Sequence, residues 1–558
     1  MQTLKPSARM ENRGWKGGVS RGPTKIEQMS RQDESQLSRL GKKQVLKVTH
    51  VLAGEADGAI LLMIVKRRFG MISTLGLSTT LMLTWEGVLV YFGFGLANGG
   101  SAGLVTSFIL SWFGFLAVMV PLAELASMAP TSSGQYHWVF MLAPHRTRNI
   151  LSYLTGWLSI AVWQSLVAMG GILSATLIQG LLVLNYPDSY TSKGWHGTLL
   201  IWATVLLAFI MNSILGRWLP KIEGFILYLH VFGFFAIIIP LLFLAKRVDA
   251  TTVFTTWSND GGWSSVGLAF FVGIITNVGP FIGADGAVHM AEETQNAALV
   301  IPWNIVITMV FNGLLGFGML LTTLFCMGDL DSAMESPLPY PFIQIFYAST
   351  LSSTGTNIMV CIVLVLSYAA TFGQFAGASR QLWAFARDRG PPFSNWLLLV
   401  NPRSLLPLNA VWTTCAISVL LGLINIGSET ALQSILSFTV SSWEAAAAIP
   451  LSLLLWNRLT GRIRTRSRNS YMSTADTDFP LTWGPWRVPE PFGSIVNVIG
   501  LCWIAIAFFF SFWPSSAEVT PATMNFSVLM TGFWFLFGIA YYFAYGRKYY
   551  NGPIIETR

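Results

Sequence analysis

The run 71–96, MISTLGLSTTLMLTWEGVLVYFGFGL, decides the fold: it is long and apolar enough to cross a bilayer, yet Thr84-Trp85-Glu86-Gly87 interrupts it near the middle. A span needs about 20 mostly apolar residues, and an acid at bilayer depth costs about 2.5–3.5 kcal/mol on insertion scales. A second run, 266–291, carries its own interruption, Gly279-Pro280-Phe281-Ile282-Gly283-Ala284-Asp285-Gly286. Glycine and proline break the helical hydrogen-bond ladder, and broken backbone is tolerated at membrane depth only where it faces protein or a water-filled cavity.

Working outward, ten further runs qualify, at about 102–122, 150–181, 198–216, 224–245, 300–327, 355–380, 408–427, 431–456, 493–513 and 526–545. Twelve spans fit a chain that is 53% hydrophobic and 11% charged, with a mean hydropathy of +0.56. Soluble chains carry about 25% charged residues, so most soluble enzymes are excluded, and 22 Trp with 38 Phe exclude disorder. The two interrupted spans, the first and the sixth, each begin a group of five. Paired interruptions in two halves are the mark of an inverted-repeat transporter with its site at the midplane, because a five-helix unit inverts on repetition. The reading is therefore an all-α membrane protein: repeat one at about 70–245, repeat two at about 266–456, and an appended pair at about 493–545, within a domain of 70–548.

Charge supplies the topology. Of 34 Lys and Arg, 31 fall in the tails and in the connections after spans 2, 4, 8 and 10, while only Lys193, Lys246 and Arg247 lie on the other side. A bias of this size places the basic side in the cytoplasm, with both termini there. The net charge of +8 is thus a topology signal, and nucleic acid is not an expected partner. Residues 1–69 and 549–558 read as cytoplasmic tails, the first largely disordered and without an apolar signal region. The plasma membrane is the expected location. Cys326, Cys361, Cys415 and Cys502 lie in apolar stretches without metal-ligand spacing and read as small buried hydrophobes; neither metal nor cofactor is expected. Residues 124–146, ELASMAPTSSGQYHWVFMLAPHR, predict an interfacial helix. Arg380, Arg387, Arg389 and the arginines of 457–491 read as interfacial anchors.

Six motifs in order resemble the amino acid–polyamine–organocation transporter superfamily, in its fungal-type amino-acid/choline/GABA permease branch. They are TWEG at Thr84–Gly87, NGGSAGLV at Asn98–Val105, LAELASMAPTSSGQYHW at Leu122–Trp138, GADGAVHMAEE at Gly283–Glu293, ASRQLWAFARDRGPPFS at Ala378–Ser394 and GPWRV at Gly484–Val488. TMNFS at Thr523–Ser527 fits the entry to the last span. The resemblance covers roughly residues 45–548. It implies a five-plus-five inverted repeat, alternating access, a substrate held by the unwound parts of helices 1 and 6, and coupling to protons rather than sodium. Two features depart from the pattern. Trp85-Glu86 stands where many amino-acid-binding relatives have a Gly/Ser-rich break, and Glu444 sits within SSWEAAAAIP of helix 10.

The candidate substrate-binding residues are Thr84, Trp85, Glu86 and Gly87 on helix 1, with Gly279, Phe281, Ile282, Gly283, Ala284 and Asp285 on helix 6. Glu86 has two readings, a substrate or proton role and a structural hydrogen bond. Every Lys and Arg falls in a loop or at a helix end, so no intramembrane Lys or Arg is expected beside it. The amino end of a half-helix beginning near Gly283 suits a carboxylate. Trp85 and Phe281 read either as a cation–π surface or as plain packing, and Asp285 as a helix cap. His230, taken as the only ionisable residue inside helix 5, can titrate near neutral pH. A basic group on helix 5 facing broken helix 1 can replace sodium in relatives, so Glu86, His230 and Glu444 are the proton-coupling candidates. His289, Glu292 and Glu293 read either as a gate network or, in preference, as a solvated helix end, and Glu124 as a structural hydrogen-bonding group.

The expected function is secondary active transport of amino acids or related small nitrogenous solutes, such as GABA. A choline or polyamine transporter and a non-transporting nutrient receptor are the alternatives. No GxxxxGK[ST] loop is present, which argues against ATP-driven transport, and no hydrolase arrangement is present, which argues against an enzyme. The partners are a small solute and the lipid bilayer; the oligomeric state stays open.

Overall fold

The computed structural model describes residues 48–50, 64–66, 69–216, 218–328, 330–402, 404, 406–427, 431–464, 482–521 and 523–553. Twelve helices among them are long and apolar enough to cross a membrane, and they are numbered here α1–α12. They run Met71–Ala97, Gly100–Met128, Arg148–Asn185, Gly194–Ser213, Leu219–Leu244, Val266–His289, Ala297–Phe325, Ser353–Arg387, Leu408–Gly427, Leu432–Leu459, Phe492–Phe510 and Ser527–Tyr549. The chain is an integral multi-pass membrane protein. Most of the amino-terminal tail lies outside the described residues. Two three-residue strands, β1 (Val48–His50) and β2 (Ile64–Lys66), pair antiparallel ahead of α1.

The halves interleave. Helix α1 packs on α6, α2 on α7, α3 on α8 and α4 on α9, the pairing that a pseudo-two-fold between two five-helix units produces. Burial separates core from rim: 83% of the most apolar window of α1 and 72% of that of α6 are buried inside the protein, against 17% for α12. The two interrupted helices are the two most buried, so their irregular backbone is shielded from lipid.

The break in α1 falls at Leu83, which adopts a left-handed conformation (φ 50°, ψ 45°) between α1a (Met71–Met82) and α1b (Thr84–Ala97). A bulky residue there is strained, and side-chain amides hold the freed carbonyls. Asn312 of α7 donates to the Thr79 carbonyl at 2.8 Å, and Gln374 of α8 donates to that of Leu81 at 3.3 Å. Helix α6 is broken more thoroughly. Val266–Gly273 and Ile275–Val278 lead into a 3₁₀ turn at Gly279–Phe281, an extended Ile282, Gly283 at φ +110°, and the short turn Gly286–His289.

Three sequence expectations need correction. Helix α5 begins at Leu219 rather than near 224 and so includes Lys221 and Glu223; His230 is not its only ionisable residue. Helix α8 continues to Arg387 rather than ending near 380, which carries Arg380 two turns inside it. The segment after α2 forms a helix at Gln135–Leu142, but all of its residues except Met141 are buried, against α3 and α10. It is a packed element, not an interfacial one.

Candidate functional site

The two breaks meet. Thr84, the first residue of α1b, donates its hydroxyl to the Pro280 carbonyl of α6 at 2.9 Å. Gly87, one turn on, lets Pro280 approach: a Cβ at Gly87 would lie 3.0 Å from the proline Cγ. Gly283 lies beside α1a, where an added Cβ would come within 3.3 Å of the Leu81 carbonyl oxygen. Thr84, Trp85, Glu86 and Gly87 therefore occupy the first turn of α1b, against Gly279–Gly283 of α6. All of these residues, with Ala284 and Asp285, are buried.

Glu86 points away from lipid and toward α5. Its Oε1 lies 2.9 Å from Nδ1 of His230, and both side chains are fully buried. No Lys or Arg is involved, but the expectation of a carboxylate without a basic partner is corrected: an imidazole fills that place. Trp85 packs on the same histidine, with ring centroids 5.6 Å apart, and on Phe234. Glu86 Oε2, His230 Nε2 and Trp85 Nε1 are buried without a hydrogen-bond partner among the described residues.

The other candidates are placed less directly. Asp285 is not a helix cap: its side chain makes no capping bond. It accepts instead from Gln135 Nε2 at 2.6 Å and from Trp443 Nε1 at 3.3 Å. The helical turn that follows it is four residues long, too short to act as the carboxylate-binding half-helix that the glycines near Gly283 suggested. Phe281 belongs to an aromatic layer, 5.3 Å from Phe108 and 5.8 Å from Phe115, which in turn packs on Trp443. Trp443, rather than its neighbour Glu444, reaches the broken helix α6 through Asp285, and Leu436 of α10 lies against Gly279. Glu444 lies one turn along from Ser441, which bonds Thr531 of α12, and neither of its carboxylate oxygens has a hydrogen-bond partner among the described residues.

On the basic face the site is closed by ion pairs. Arg387 of α8 grips Glu292 through both terminal nitrogens at 2.9 Å, and Arg380 reaches Glu293 at 3.2 Å. All four groups are buried. Glu292 and Glu293 thus do not form a solvated helix end, and Arg380 and Arg387 are not interfacial anchors. His289 Nδ1 is 3.0 Å from the Ser132 carbonyl, and the backbone of Phe69 pairs with Glu293 and Gln295. Tyr136 donates to Asp388 at 2.8 Å; burial first, and Asp388 second, hold its phenol well above the usual range, so it stays a neutral donor. Glu124 bonds Arg458 and accepts from the Val488 amide, a structural role as expected, and Arg458 also meets Glu490.

Among the described residues no such ion pairs lie on the opposite face. A cavity of about 600 Å³ sits there, lined among others by Val90, Phe94, Asn98, Thr176, Asp260 and Tyr340. Its lining includes α1b positions one to three turns beyond Glu86.

Several site residues carried no distinctive sequence signal. Trp443 is one of 22 tryptophans, and Gln135 lies in a loop motif. Asn312 and Gln374 are polar residues in apolar runs, a signal that was readable. Glu223 was readable too: Pro220 marks a helix start ahead of it.

Comparison with known proteins agrees with this architecture. The chain is similar to the choline transporter of Saccharomyces cerevisiae, at 28% identity over 499 residues, 89% of this chain and 84% of that protein. It is similar to amino-acid permease 2 of Neurospora crassa, at 26% over 488 residues, 86% and 84% of the two chains. It is also similar to the GABA-specific permease of S. cerevisiae, at 25% over 511 residues, 88% and 83% of the two chains. Residues 69–534 match the family described as amino acid permease, and with nearly all of its spans inside that match the chain belongs to this family of membrane permeases.

Proposed function

We propose that the protein is a proton-coupled secondary transporter of amino acids or related small nitrogenous solutes, working by alternating access across the plasma membrane with its basic face in the cytoplasm. The observation that carries this reading is the contact between Glu86 and His230 at the α1 break, 2.9 Å apart and fully buried. A lone carboxylate at that depth is costly. One proton held by the pair makes the two side chains neutral together, so the site closes without stranding net charge in the core. A solute ammonium group is drawn to Glu86 and to the face of Trp85, while the proton on His230 balances the carboxylate. The buried ion pairs on the basic face and the cavity on the other suit a state that admits solute from outside. The broken backbone at Thr84, Gly87, Gly279, Ile282, Gly283 and Ala284 surrounds the solute, and Phe281 supports it from the aromatic layer.

A choline-like organocation is the second reading. It is favoured by Trp85 beside the Glu86–His230 pair, and by the absence of Lys or Arg from the two broken segments. The GABA and choline permeases among the relatives frame the same choice. The test is radiolabelled uptake into proteoliposomes under an imposed pH gradient, with and without sodium, using amino acids, GABA and choline as mutual competitors. Accumulation that follows the proton gradient and ignores sodium supports the proposal. Accumulation that needs sodium, or that ignores both gradients, overturns it.

A further inference from the structure

Helix α5 carries a second buried acid facing the same broken helix. Glu223 lies seven residues before His230, two turns down the helix, so both side chains project from one face. That face meets α1 at two levels. His230 touches Glu86 of α1b, and Glu223 accepts from the Thr80 hydroxyl of α1a at 3.1 Å. The contact at the lower level is tight: a Cβ on Gly76 would lie 2.4 Å from the Glu223 carbonyl oxygen. Glu223 is fully buried, and its Oε1 has no hydrogen-bond partner among the described residues.

A buried carboxylate of this kind needs a reason. Among the described residues, the elements packed on it offer no counter-charge. Helices α1a and α7, both packed on α5, contain no ionisable side chain. The ionisable residues of α8 are Cys361, Tyr368, Arg380 and Arg387, and the two arginines are held by Glu293 and Glu292. The short helix Pro341–Thr350, which also packs on α5, offers Tyr347 alone, and α1b offers Glu86 and Tyr91. On α5 itself stand Lys221, whose ammonium lies 4.7 Å from the Trp218 ring centroid, Tyr228 and His230.

We infer that Glu223 is the proton-release group of the transporter, the station through which the proton on the Glu86–His230 pair reaches the basic face. The inference rests on the proton-coupled reading of that pair. Seven residues of helix separate the two stations by about 10 Å along the axis, a gap that water admitted beside α1a bridges. The proton leaves the imidazole, passes along that water to Glu223 Oε1, and is given up to solvent on the basic face, leaving Glu223 ionised as the Thr80 hydroxyl continues to donate to Oε2. One proton moves and no other bond changes. Because α1a is, among the described residues, the element that covers Glu223 through a polar contact, displacement of α1a wets this station before the upper one.

The test separates proton release from solute binding. Wild-type, Glu223→Gln and Glu223→Asp proteins are reconstituted with a pH-sensitive dye inside the vesicles. Radiolabelled choline, GABA and an amino-acid mixture are the probes, used in gradient-driven accumulation and in counterflow exchange at equal pH on both sides. Glutamine keeps the shape and accepts from Thr80 but cannot release a proton. The expected result for Glu223→Gln is a loss of accumulation and of coupled proton entry by roughly tenfold or more, with counterflow within about twofold of wild type, and partial recovery in Glu223→Asp. Accumulation by Glu223→Gln equal to wild type overturns the assignment while leaving the Glu86–His230 reading intact. Equal loss of both transport modes in both variants also overturns it, since that marks a structural role. A wild type that accumulates solute without proton entry overturns the coupling reading itself, and the assignment with it.

Discussion

His230 of α5 holds Glu86 of α1b through a single 2.9 Å contact in which both partners are fully buried, and this contact joins one half of a broken helix to a continuous one. Removing either partner leaves the other alone in the core. Glu86→Gln keeps the shape and one acceptor but cannot carry charge. The expected outcome is loss of concentrative uptake at near-normal surface abundance. His230→Gln is expected to leave Glu86 without its proton partner and to lose uptake as well. The double variant should cost little more than either single one, because residues acting as a unit are not additive. Uptake assays on membranes with matched protein amounts check this, and additive losses would separate the two residues functionally.

How far this arrangement was readable differs by residue. The twelve spans, the paired breaks and Glu86 all follow from hydropathy and from chemistry out of place: an acid, or Gly and Pro, in an apolar run announces itself. His230 was readable as a lone ionisable group, but its meeting with Glu86 is a tertiary contact that no local pattern encodes. The break itself escaped precise placement because Leu83, where the backbone turns left-handed, is an ordinary helix former, strained only in context. Arg380 and Arg387 were misread for a related reason. At the end of an apolar run an arginine looks like a membrane anchor, and only the fold shows that Glu293 and Glu292 are folded back onto it.

The Arg387–Glu292 pair gives the second prediction. Both groups are buried and the contact is bidentate. Breaking a buried pair by removing one partner costs roughly 3–5 kcal/mol. Arg387→Ala is expected to lower the melting temperature of the purified protein and to open the basic face. A cysteine placed at Ala291, buried beside the pair, should then react faster with a membrane-impermeant maleimide applied to that face. Unchanged labelling would show that the pair does not hold that face closed.

Gly283 gives the third. Its φ of +110° lies where side-chain-bearing residues are strained, and a Cβ there would press on the Leu81 carbonyl at 3.3 Å. Gly283→Ala is expected to cost about 1–3 kcal/mol and to move α6 relative to the α1 break. Uptake should fall severely, whereas Gly224→Ala, a position with no atom within 4 Å of an added Cβ, should transport normally. Parallel uptake and thermal-stability measurements on the two variants decide it.

Glu444 gives the last. It is fully buried in α10 with neither oxygen partnered among the described residues, and the neighbour that reaches the broken helices is Trp443, through Asp285. Coupling that runs through Glu86 and His230 leaves Glu444 outside the proton path. Its burial then only subtracts from stability, since an unsatisfied polar group in a core costs free energy that an apolar side chain of similar volume does not. Glu444→Met is therefore expected to keep gradient-driven uptake within about twofold while raising the melting temperature by a few degrees, the shift that about 1 kcal/mol produces in a sizeable domain. The same substitution at Glu86 should abolish uptake. If Glu444→Met instead removes proton-driven accumulation while sparing counterflow, a carboxylate of α10 carries the proton and the role given to the α1–α5 pair is wrong.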